Sequence, residues 1–345
     1  MNNQSLAVKY RPQTFSEVCS QESIIRVLEN QISTDTFKQA YIFTGPAGCG
    51  KTTCARILAN EINKGKGNPI ELDAASNNSV DNIRDISNQA KMQSLDSDYK
   101  VFILDEVHML SGGAWAAMLK LIEEPPAKTI FILATTDIQK VPKTILSRCQ
   151  RFDFHKIPLD VIVDRLAYIL SKENLRARGS QEEALLYIAK IADGGMRDAL
   201  TMLDKCLSYS EELTIENVVK ALGSVNYDVM FDFTDYIISG KNGEMINVIE
   251  DLYMGGKDLK QFIKQYLLFI LDICKFCITS SYEQIQIPRM YDKQLREYKT
   301  QKSMPFVALL NCVVQLNSDI KWESNPKALI ESTLLLLMNG AELNG

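Results

Sequence analysis

The sequence predicts an α/β domain built on a parallel sheet, followed by two all-helical domains. Over residues 1–156, apolar β-branched runs alternate with helical patterns, which is typical of parallel strands joined by helices. A glycine-rich loop with the pattern G-x-x-x-x-G-K-T follows the first apolar run and precedes a helical pattern. After Pro158 the periodicity is helical and no convincing strand appears. The predicted domains are therefore 1–156, 157–222 and 223–345.

The first half of the α/β domain begins as an extended strap. Pro12 favours an extended conformation at Arg11, and a helical pattern follows at 24–28. The next predicted elements are a strand at 41–44, a helix at 53–63, a loop at 64–69, a strand at 70–73 and a polar helix at 80–91.

The second half alternates strands and helices in the same way, and the rest of the chain is helical. Strands are predicted at 100–106, 129–133 and 151–154, with a helix from 111 that Pro125 and Pro126 must end. Later helices are predicted at 162–170, 182–192, 197–209 and 215–222, with glycine breaks at 194–195 and 223–224. The remainder, 227–343, is helical with breaks at 255–256, Pro288 and Pro305.

Composition indicates several globular domains in a reducing compartment. Of the 345 residues, 46% are hydrophobic and 23% are charged, so more than one core is expected. Neither a signal peptide nor a membrane-spanning apolar run is visible, which predicts a cytoplasmic protein, and the eight cysteines are expected to be free thiols. A net charge of −5 argues against general coating of nucleic acid. The basic segment 140–156 fits either a phosphate-facing edge or a solvated face.

The glycine-rich loop predicts a nucleoside triphosphate site. Its glycines allow backbone N–H groups to turn toward phosphates, and the following helix offers its positive N-terminus to the same anion. Lys51 is expected to reach the β- and γ-phosphates, and the hydroxyl of Thr52 to ligate Mg²⁺. The alternative, a turn without a ligand, is disfavoured by the strand–loop–helix context. The predicted loop residues are Gly45, Pro46, Ala47, Gly48, Cys49, Gly50, Lys51, Thr52 and Thr53.

Two acids and two threonines end the strands that follow the loop. Asp105 is expected to hold Mg²⁺, and Glu106 to orient or deprotonate the attacking water, although adjacent acids also occur as solvated turn residues. A hydroxyl at Thr135 or Thr136 would lie beside the γ-phosphate, but threonine is also simply a good strand residue. Arg148 has the side chain suited to phosphate oxygens, whereas a lone arginine is by default a structural ion pair.

A series of motifs carries a family resemblance. In order along the chain they are KYRPQTF at 9–15, GPAGCGKT at 45–52, DAAS at 73–76, DEVHML at 105–110, LIEEPP at 121–126, ATTD at 134–137, SRC at 147–149 and GMRDAL at 195–200. Together they resemble the bacterial DNA polymerase III gamma/tau subunits, the ATPase motors of replicative clamp loaders. The resemblance covers the first 222 residues, and the remainder fits the family's collar in length and helical class.

The resemblance implies an AAA+ protein: a P-loop ATPase core at 1–156, a helical lid at 157–222 and an all-α oligomerisation collar at 223–345. It implies a DNA-dependent ATPase that opens a sliding clamp and loads it onto primer-template DNA. ATP and Mg²⁺ are the implied cofactors. The implied partners are other clamp-loader subunits, joined through the collar in a hetero-pentamer, together with the clamp and the DNA.

The resemblance also implies roles for individual residues. Arg148 would act in trans on ATP held by the neighbouring subunit, and Arg197 would contact the γ-phosphate of its own ATP as the second sensor. One of Thr135 and Thr136 would be the first sensor, with Thr135 preferred. The residues implied near the adenine are Tyr10, Arg11 and Pro12. The residues implied to track the DNA backbone, on and before the helix after Ser76, are Ser76, Asn77, Asn78 and Arg84.

Some features depart from the family or do not fit a site. The family's four-cysteine zinc insert is reduced here to residues 64–69, so no zinc is expected, and Ser20 stands where the family commonly has glycine. The long tau extension, through which the family contacts the helicase and the polymerase, is not among these residues, so the resemblance leaves those two partners open. Cys274 and Cys277, in a predicted buried helix, are read as core packing. No triad partner is visible for His108.

Two other functions remain open at this point. A helicase or branch-migration motor has the same fold, but the SRC, EEPP and collar features count against it. A catalytically silent scaffold subunit is disfavoured by the intact Lys51, Thr52, Asp105 and Glu106.

Overall fold

The computed structural model describes residues 4–92, 96–173, 181–222, 227–300 and 305–340. The chain divides into two compact units, the first formed by Met1–Arg176 with Ile188–Asp204 and the second by Ala177–Tyr187 with Lys205–Gly345. The predicted glycine break at 223–224 lies outside the described residues. The three-domain division therefore stays a prediction.

The first unit contains a parallel sheet with helices on both faces, as the sequence predicted. Its strands are β1 (Ala40–Thr44), β2 (Ile70–Asp73), β3 (Lys100–Asp105), β4 (Thr129–Thr135) and β5 (Gln150–Asp153). Two helices precede β1, namely α1 (Leu6–Lys9) and α2 (Glu22–Ser33), and the helices between the strands are α3 (Lys51–Ile62), α4 (Val80–Lys91), α5 (Gly112–Glu123) and α6 (Lys143–Leu146). In the part of the chain that the structure describes, the strand order is β2-β3-β4-β1-β5.

The sheet register brings the strand ends to one edge. Thr44 pairs with Thr135 on one side and with Asp153 on the other, and Asp73 pairs with Asp105. Because all pairs are parallel, the carboxyl ends of the strands share this edge, where open α/β sheets bind ligands. The residues that follow each strand are therefore the ones placed to form a site.

Both faces of the sheet are buried, because successive side chains of a strand point to opposite faces. Ile42 packs in a cluster with α4 and α5, whereas Tyr41 and Phe43 pack in a cluster with α2 and α3. Each of these side chains is fully buried, which contributes roughly 1.5–3 kcal/mol per large apolar residue. The two clusters fix β1, and with it the start of the glycine-rich loop.

The start of the chain and the end of β3 differ in detail from the prediction. Residues Leu6–Lys9 form a short helix before the strap, which the sequence did not indicate. β3 ends at Asp105 rather than at residue 106, since Glu106 adopts a left-handed conformation with φ of 48°. That turn directs Glu106 away from the strand direction.

The helices after the sheet agree with the prediction in class: the first four match their predicted bounds within a few residues, and for 227–343 the sequence predicted helix without individual bounds. They are α7 (Leu159–Lys172), α8 (Gln181–Ile191), α9 (Met196–Tyr209) and α10 (Ile215–Leu222), followed by α11 (Tyr227–Ile238), α12 (Asn242–Met254), α13 (Leu259–Thr279), α14 (Asp292–Thr300), α15 (Pro305–Asp319) and α16 (Pro326–Met338). No helix in the described ranges combines the length and apolar character needed to cross a membrane.

The second unit has its own aromatic core. The ring of Phe231 packs against Phe269 and Tyr291, at centroid distances of 4.9 and 5.1 Å. The buried helix that the sequence predicted around Cys274 and Cys277 is α13, in which Phe269, Ile270 and Ile273 are buried. Cys274 and Cys277 of the same helix are free and only half-buried, so the prediction that they belong to the core holds in part.

Candidate nucleotide-binding site

The glycine-rich loop connects β1 to α3 at the ligand-binding edge of the sheet. A Cβ atom at Gly45 would lie 2.4 Å from the carbonyl oxygen of Phe154, so only glycine fits there. Gly48 has φ of +69°, and a Cβ atom on it would lie 3.0 Å from the Cα of Gly195. The loop is therefore packed tightly against two other segments of the first unit.

A cavity of about 620 Å³ lies in front of this loop. It brings together the strap, the loop, the ends of β2 and β3, and the start of α9. The lining residues predicted from the sequence are Tyr10, Arg11, Pro12, Ala47, Gly48, Cys49, Gly50, Lys51, Thr52, Thr53, Asp105, Glu106 and Arg197.

Lys51 is the cation of the loop. Its side chain is buried, with 6% of the residue exposed, and its ammonium donates to the carbonyls of Gly45 at 2.8 Å and Pro46 at 2.7 Å. Those carbonyls satisfy the charge within the loop. A phosphate oxygen is a stronger acceptor for an ammonium than a neutral carbonyl, so the position of Lys51 fits a triphosphate.

Thr52 and Asp105 form the candidate metal position. The Thr52 hydroxyl donates to Oδ2 of Asp105 at 2.7 Å, and Oδ1 accepts from the backbone N–H of Glu106 at 2.9 Å. A hydroxyl and one carboxylate are the oxygen donors Mg²⁺ takes from proteins when phosphates and water complete its shell. Within the described residues, no group of three or more His, Cys, Asp or Glu side chains is arranged around a common point. This donor set fits Mg²⁺ bound together with a nucleotide.

Glu106 is held by two residues beyond the strand ends. Its Oε2 accepts from the hydroxyl of Thr136 at 2.9 Å and lies 3.2 Å from Nδ1 of His108. Of the two threonines, Thr136 therefore reaches Glu106, whereas the preferred Thr135 is fully buried and lies against His108 at 3.2 Å. The sequence indicated no partner for His108, because Thr135 reaches it from the neighbouring strand β4 and its contact with Glu106 depends on the turn after β3.

The strap is pinned to α7. The Tyr10 hydroxyl donates to the carboxylate of Glu173, which also pairs with Lys9 at 2.6 Å. Nη2 of Arg165 donates to the carbonyl of Tyr10 at 3.3 Å. Burial, and then the hydrogen bond to Glu173, raise the pKa of Tyr10 to about 12. These contacts hold the strap residues against the cavity, where a base would bind.

Among the residues that the structure describes, four arginines line the cavity, and two of them, Arg56 and Arg165, were not predicted. Burial, followed by the nearby charges of Arg56 and Arg197, lowers the pKa of Arg11. Arg56 pairs with Glu71 at 2.6 Å, and Arg165 comes from α7. Arg56 follows Thr52 by four positions on α3, so helical spacing carried a signal for it. This concentration of positive charge suits a triphosphate.

The turn before α9 brings Arg197 to the cavity. The N–H of Met196 donates to the carbonyl of Gly48 at 3.0 Å, and the N–H of Ile157 donates to the carbonyl of Gly194 at 3.1 Å. The turn at Gly194 and Gly195 thus packs against both the glycine-rich loop and the segment after β5. Arg197, which follows Met196, lines the cavity as the sequence predicted.

Arg148 lies elsewhere on the first unit. Its Nη2 is 2.8 Å from the carboxylate of Glu123, and its Nη1 donates to the carbonyl of Thr144 at 2.9 Å and to Ser147. The side chain is 41% exposed. Arg148 is not among the described residues that line the cavity of its own chain.

The residues predicted to contact DNA lie on the surface at the start of α4. Ser76 and Asn77 are held by Asp73, and Asn78 accepts from the N–H of Ser111 at 3.1 Å. The helix begins only at Val80, capped by Ser79, so three of the four predicted residues precede it. Arg84 is on the helix and pairs with Asp81 at 2.9 Å.

Cys49 in the loop and Cys54 on α3 fill space in the core of the first unit. Both are buried, and burial raises the pKa of Cys54 to about 12 and also raises that of Cys49. A neutral, buried thiol is a poor nucleophile.

Three family profiles match consecutive parts of the chain. Residues 62–158 match the family described as DNA polymerase III, delta subunit. Residues 161–212 match the ATPase lid domain of the DNA polymerase III clamp loader subunit. Residues 213–344 match domain III of the DNA polymerase III subunits gamma and tau.

Curated relatives cover most of the chain. It is 37% identical to the DNA polymerase III subunit tau of Bacillus subtilis, over 96% of this chain and 62% of that protein. It is 33% identical to the DNA polymerase III subunit gamma of Buchnera aphidicola (subsp. Schizaphis graminum), over 78% of this chain and 80% of that protein. The chain covers 62% of the Bacillus subtilis protein and 47% of the Mycoplasma genitalium gamma/tau subunit, so it spans less than two thirds of the length of these relatives.

Solved structures show the same fold. The Holliday junction branch migration motor RuvB of Thermotoga maritima has a TM-score of 0.53 over 66% of this chain and 79% of that chain. Its sequence identity is 17%, so the likeness concerns the fold alone.

Proposed function

The chain belongs to the family of bacterial DNA polymerase III gamma and tau subunits, and from this premise we propose that it is the DNA-dependent ATPase motor of a replicative clamp loader. It would open a ring-shaped sliding clamp and load it onto primer-template DNA. The observation that carries the proposal is the pairing of Thr52 with Asp105 at 2.7 Å beside Lys51, in one cavity with Glu106 and Arg197.

Binding of ATP is assigned to the loop, the strap and the start of α9. Lys51 would exchange the carbonyls of Gly45 and Pro46 for phosphate oxygens, while the loop N–H groups surround the phosphates. Arg197 would contact the γ-phosphate, and the strap at 10–12 would lie against the adenine. The strap contacts with Glu173 and Arg165 support this assignment, because they preorganise the base-binding side.

Hydrolysis is assigned to the residues at the end of β3. Mg²⁺ bound with the nucleotide neutralises charge on the β- and γ-phosphate oxygens, and Thr52 and Asp105 would hold it. Glu106 would accept a proton from the attacking water. The hydroxyl of Thr136, rather than Thr135, is proposed as the first sensor, because it contacts the carboxylate of Glu106.

Arg148 is proposed to act on the ATP of a neighbouring subunit. Its exposed position outside its own cavity supports this role, since the side chain is available to a second molecule. Arginines supplied in trans accelerate phosphoryl transfer by roughly 10³–10⁵-fold in other enzymes. The partners proposed are the other loader subunits, joined in a hetero-pentamer through the collar at 223–345, and the clamp.

DNA is proposed to bind at the start of α4. Three of the proposed residues are accessible: Ser76 and Asn78 are exposed, and Asn77 is partly exposed. Polar side chains and backbone N–H groups at the start of a helix can bind the phosphate backbone of DNA without reading its sequence. Arg84 would exchange its contact with Asp81 for a phosphate. Asp81 and Asp85 on α4 repel phosphates, so this segment alone contributes little to the free energy of DNA binding.

The test is steady-state ATP hydrolysis by the chain assembled with its native partners. A loader needs both clamp and primed DNA for its full rate. Stimulation by DNA alone, with no further effect of clamp, would instead indicate a branch-migration type of motor. A rate that no addition changes would indicate a silent scaffold subunit and would refute the proposal.

A further inference from the structure

His108 lies between the carboxylate of Glu106 and the buried hydroxyl of Thr135. It sits on a 3-10 turn, Val107–Met109, directly after β3. Its side chain is only 13% exposed. The turn is held by the N–H of Met109, which donates to the carbonyl of Glu106 at 2.9 Å.

The oxygens around Nδ1 determine which atom carries the proton. Nδ1 is 3.2 Å from Oε2 of Glu106 and 3.2 Å from Oγ1 of Thr135. A carboxylate has no hydrogen to donate, so a bare Nδ1 lone pair would face it unfavourably. Oγ1 of Thr135 already accepts from the N–H of Asp137 at 3.0 Å. The Thr135 hydroxyl can still either donate or accept, so the carboxylate of Glu106 decides, and it favours an imidazole with its hydrogen on Nδ1.

The two oxygens of Glu106 have different surroundings. Oε2 meets the hydroxyl of Thr136 at 2.9 Å, its N–H at 3.4 Å and the imidazole at 3.2 Å. No hydrogen bond to Oε1 is found among the described residues, and Glu106 lines the cavity. The carboxylate is thus anchored through one oxygen.

We propose that His108 is a positioning residue for Glu106. Together with Thr136 it holds Oε2, which leaves Oε1 to receive the proton. In the step, the water oxygen bonds to the γ-phosphorus, the bond from that phosphorus to the β–γ bridging oxygen breaks, and the water proton moves to Oε1. The products are ADP and phosphate. This inference rests on the proposed ATPase function.

The experiment compares three substitutions at position 108. His108→Leu removes the donor, His108→Asn keeps an N–H near the place of Nδ1, and His108→Gln moves it toward the place of Nε2. A misplacement of about 1 Å at a reacting group costs roughly 10²-fold, so a kcat roughly 10- to 100-fold lower is expected for the Leu and Gln variants. The Asn variant is expected to recover most of the wild-type kcat. The affinity for a fluorescent ATP analogue should change little in all three.

The control is the other histidine of the chain. His155 is exposed, and the contacts it makes with Gln21 use its backbone. His155→Leu is therefore expected to leave kcat and nucleotide affinity at the wild-type level. If the Leu variant at position 108 fails to fold, the contrast between Asn and Gln at that position decides the question.

A double variant separates positioning from packing. If His108 acts through Glu106, Glu106→Gln combined with His108→Leu is no slower than Glu106→Gln alone. The inference would be overturned if the losses in kcat of the two single variants multiplied in the double variant. It would also be overturned if His108→Leu left kcat unchanged, or if the Asn and Gln variants lost kcat equally. If the wild-type assembly hydrolyses ATP and Glu106→Gln lowers this rate strongly to a residual value that can still be measured, such a result leaves the proposed function intact. An inactive wild-type assembly would overturn both.

Discussion

The guanidinium of Arg148 lies 2.8 Å from the carboxylate of Glu123 on the same chain. Both side chains are about 40% exposed, so the pair is worth at most about 1 kcal/mol. A carboxylate this close would also repel a phosphate that approaches the guanidinium. In the isolated subunit, Glu123 therefore competes with the phosphate proposed as the target of Arg148.

Glu123→Gln is expected to raise ATP hydrolysis in the absence of clamp and DNA. Because the ion pair between Glu123 and Arg148 is worth at most about 1 kcal/mol, removing it can raise the rate of ATP hydrolysis by up to about fivefold. Steady-state phosphate release measures it. Glu124→Gln, which changes the same charge one position along, is the control and should have no effect. A slower Glu123→Gln enzyme would mean instead that Glu123 orients Arg148 for catalysis.

Lys51→Ala is expected to weaken ATP binding without unfolding the protein. Hydrogen bonds to charged groups are worth about 1.5–3 kcal/mol, which corresponds to roughly 10- to 100-fold in dissociation constant. Titration with a fluorescent ATP analogue measures it. The control is Lys66→Ala, which removes the same charge from the exposed loop after α3 and should bind the ATP analogue as tightly as the wild type. Unchanged binding by Lys51→Ala would exclude the loop as the triphosphate site.

Ser20→Gly is expected to stabilise the protein. Ser20 has φ of +64°, a conformation that costs an L-residue about 1–2 kcal/mol and that glycine adopts without this cost. Part of the stability gained is lost again, because glycine gives the unfolded chain more conformational entropy. The free energy of unfolding should rise by roughly 0.5–1 kcal/mol in urea denaturation. Ser33→Gly, at the end of α2, should have the opposite sign. Equal effects of the two substitutions would contradict the assignment of backbone strain to Ser20.

Tyr41 is expected to make stability fall at alkaline pH. Burial raises its pKa to about 12, against 10 for an exposed tyrosine. Between these two pH values the folded state keeps a proton that the unfolded state loses. The contribution of Tyr41 to the free energy of unfolding is therefore fully present below about pH 10 and is lost as the pH rises through about 12. Denaturation at a series of pH values should show a smaller loss in Tyr41→Phe than in the wild type. An identical pH dependence would contradict the role of Tyr41.

The sequence predicted the parts of the site that depend on local pattern. The loop at 45–52, the acids after β3 and the start of α9 each carry a short motif, and the register of the parallel sheet brings them to one edge. Arg56 was also accessible, since it follows Thr52 by one helical turn. Arg56 lies outside the glycine-rich motif, so the motif alone does not mark it as a residue of the site.

Other contacts could not be predicted, because they join residues far apart in sequence. The bond between Tyr10 and Glu173 spans 163 positions, and no periodicity relates the two. The same is true of His108 and Thr135, which meet only because β3 and β4 are neighbours in the sheet. Whether Thr135 or Thr136 reaches Glu106 depends on which side chain points inward at the end of β4, and strand boundaries alone do not determine this.

The most direct test of the central claim mixes two inactive variants. Arg148→Ala keeps the phosphate loop but lacks the arginine, and Lys51→Ala keeps the arginine but lacks the loop cation. Each is assembled with the native partner subunits alone and in mixtures, and ATP hydrolysis is measured with clamp and primed DNA. If each working site is built by two adjacent subunits, the mixtures hydrolyse ATP well above either variant alone. If no mixture recovers activity, Arg148 does not act across the interface.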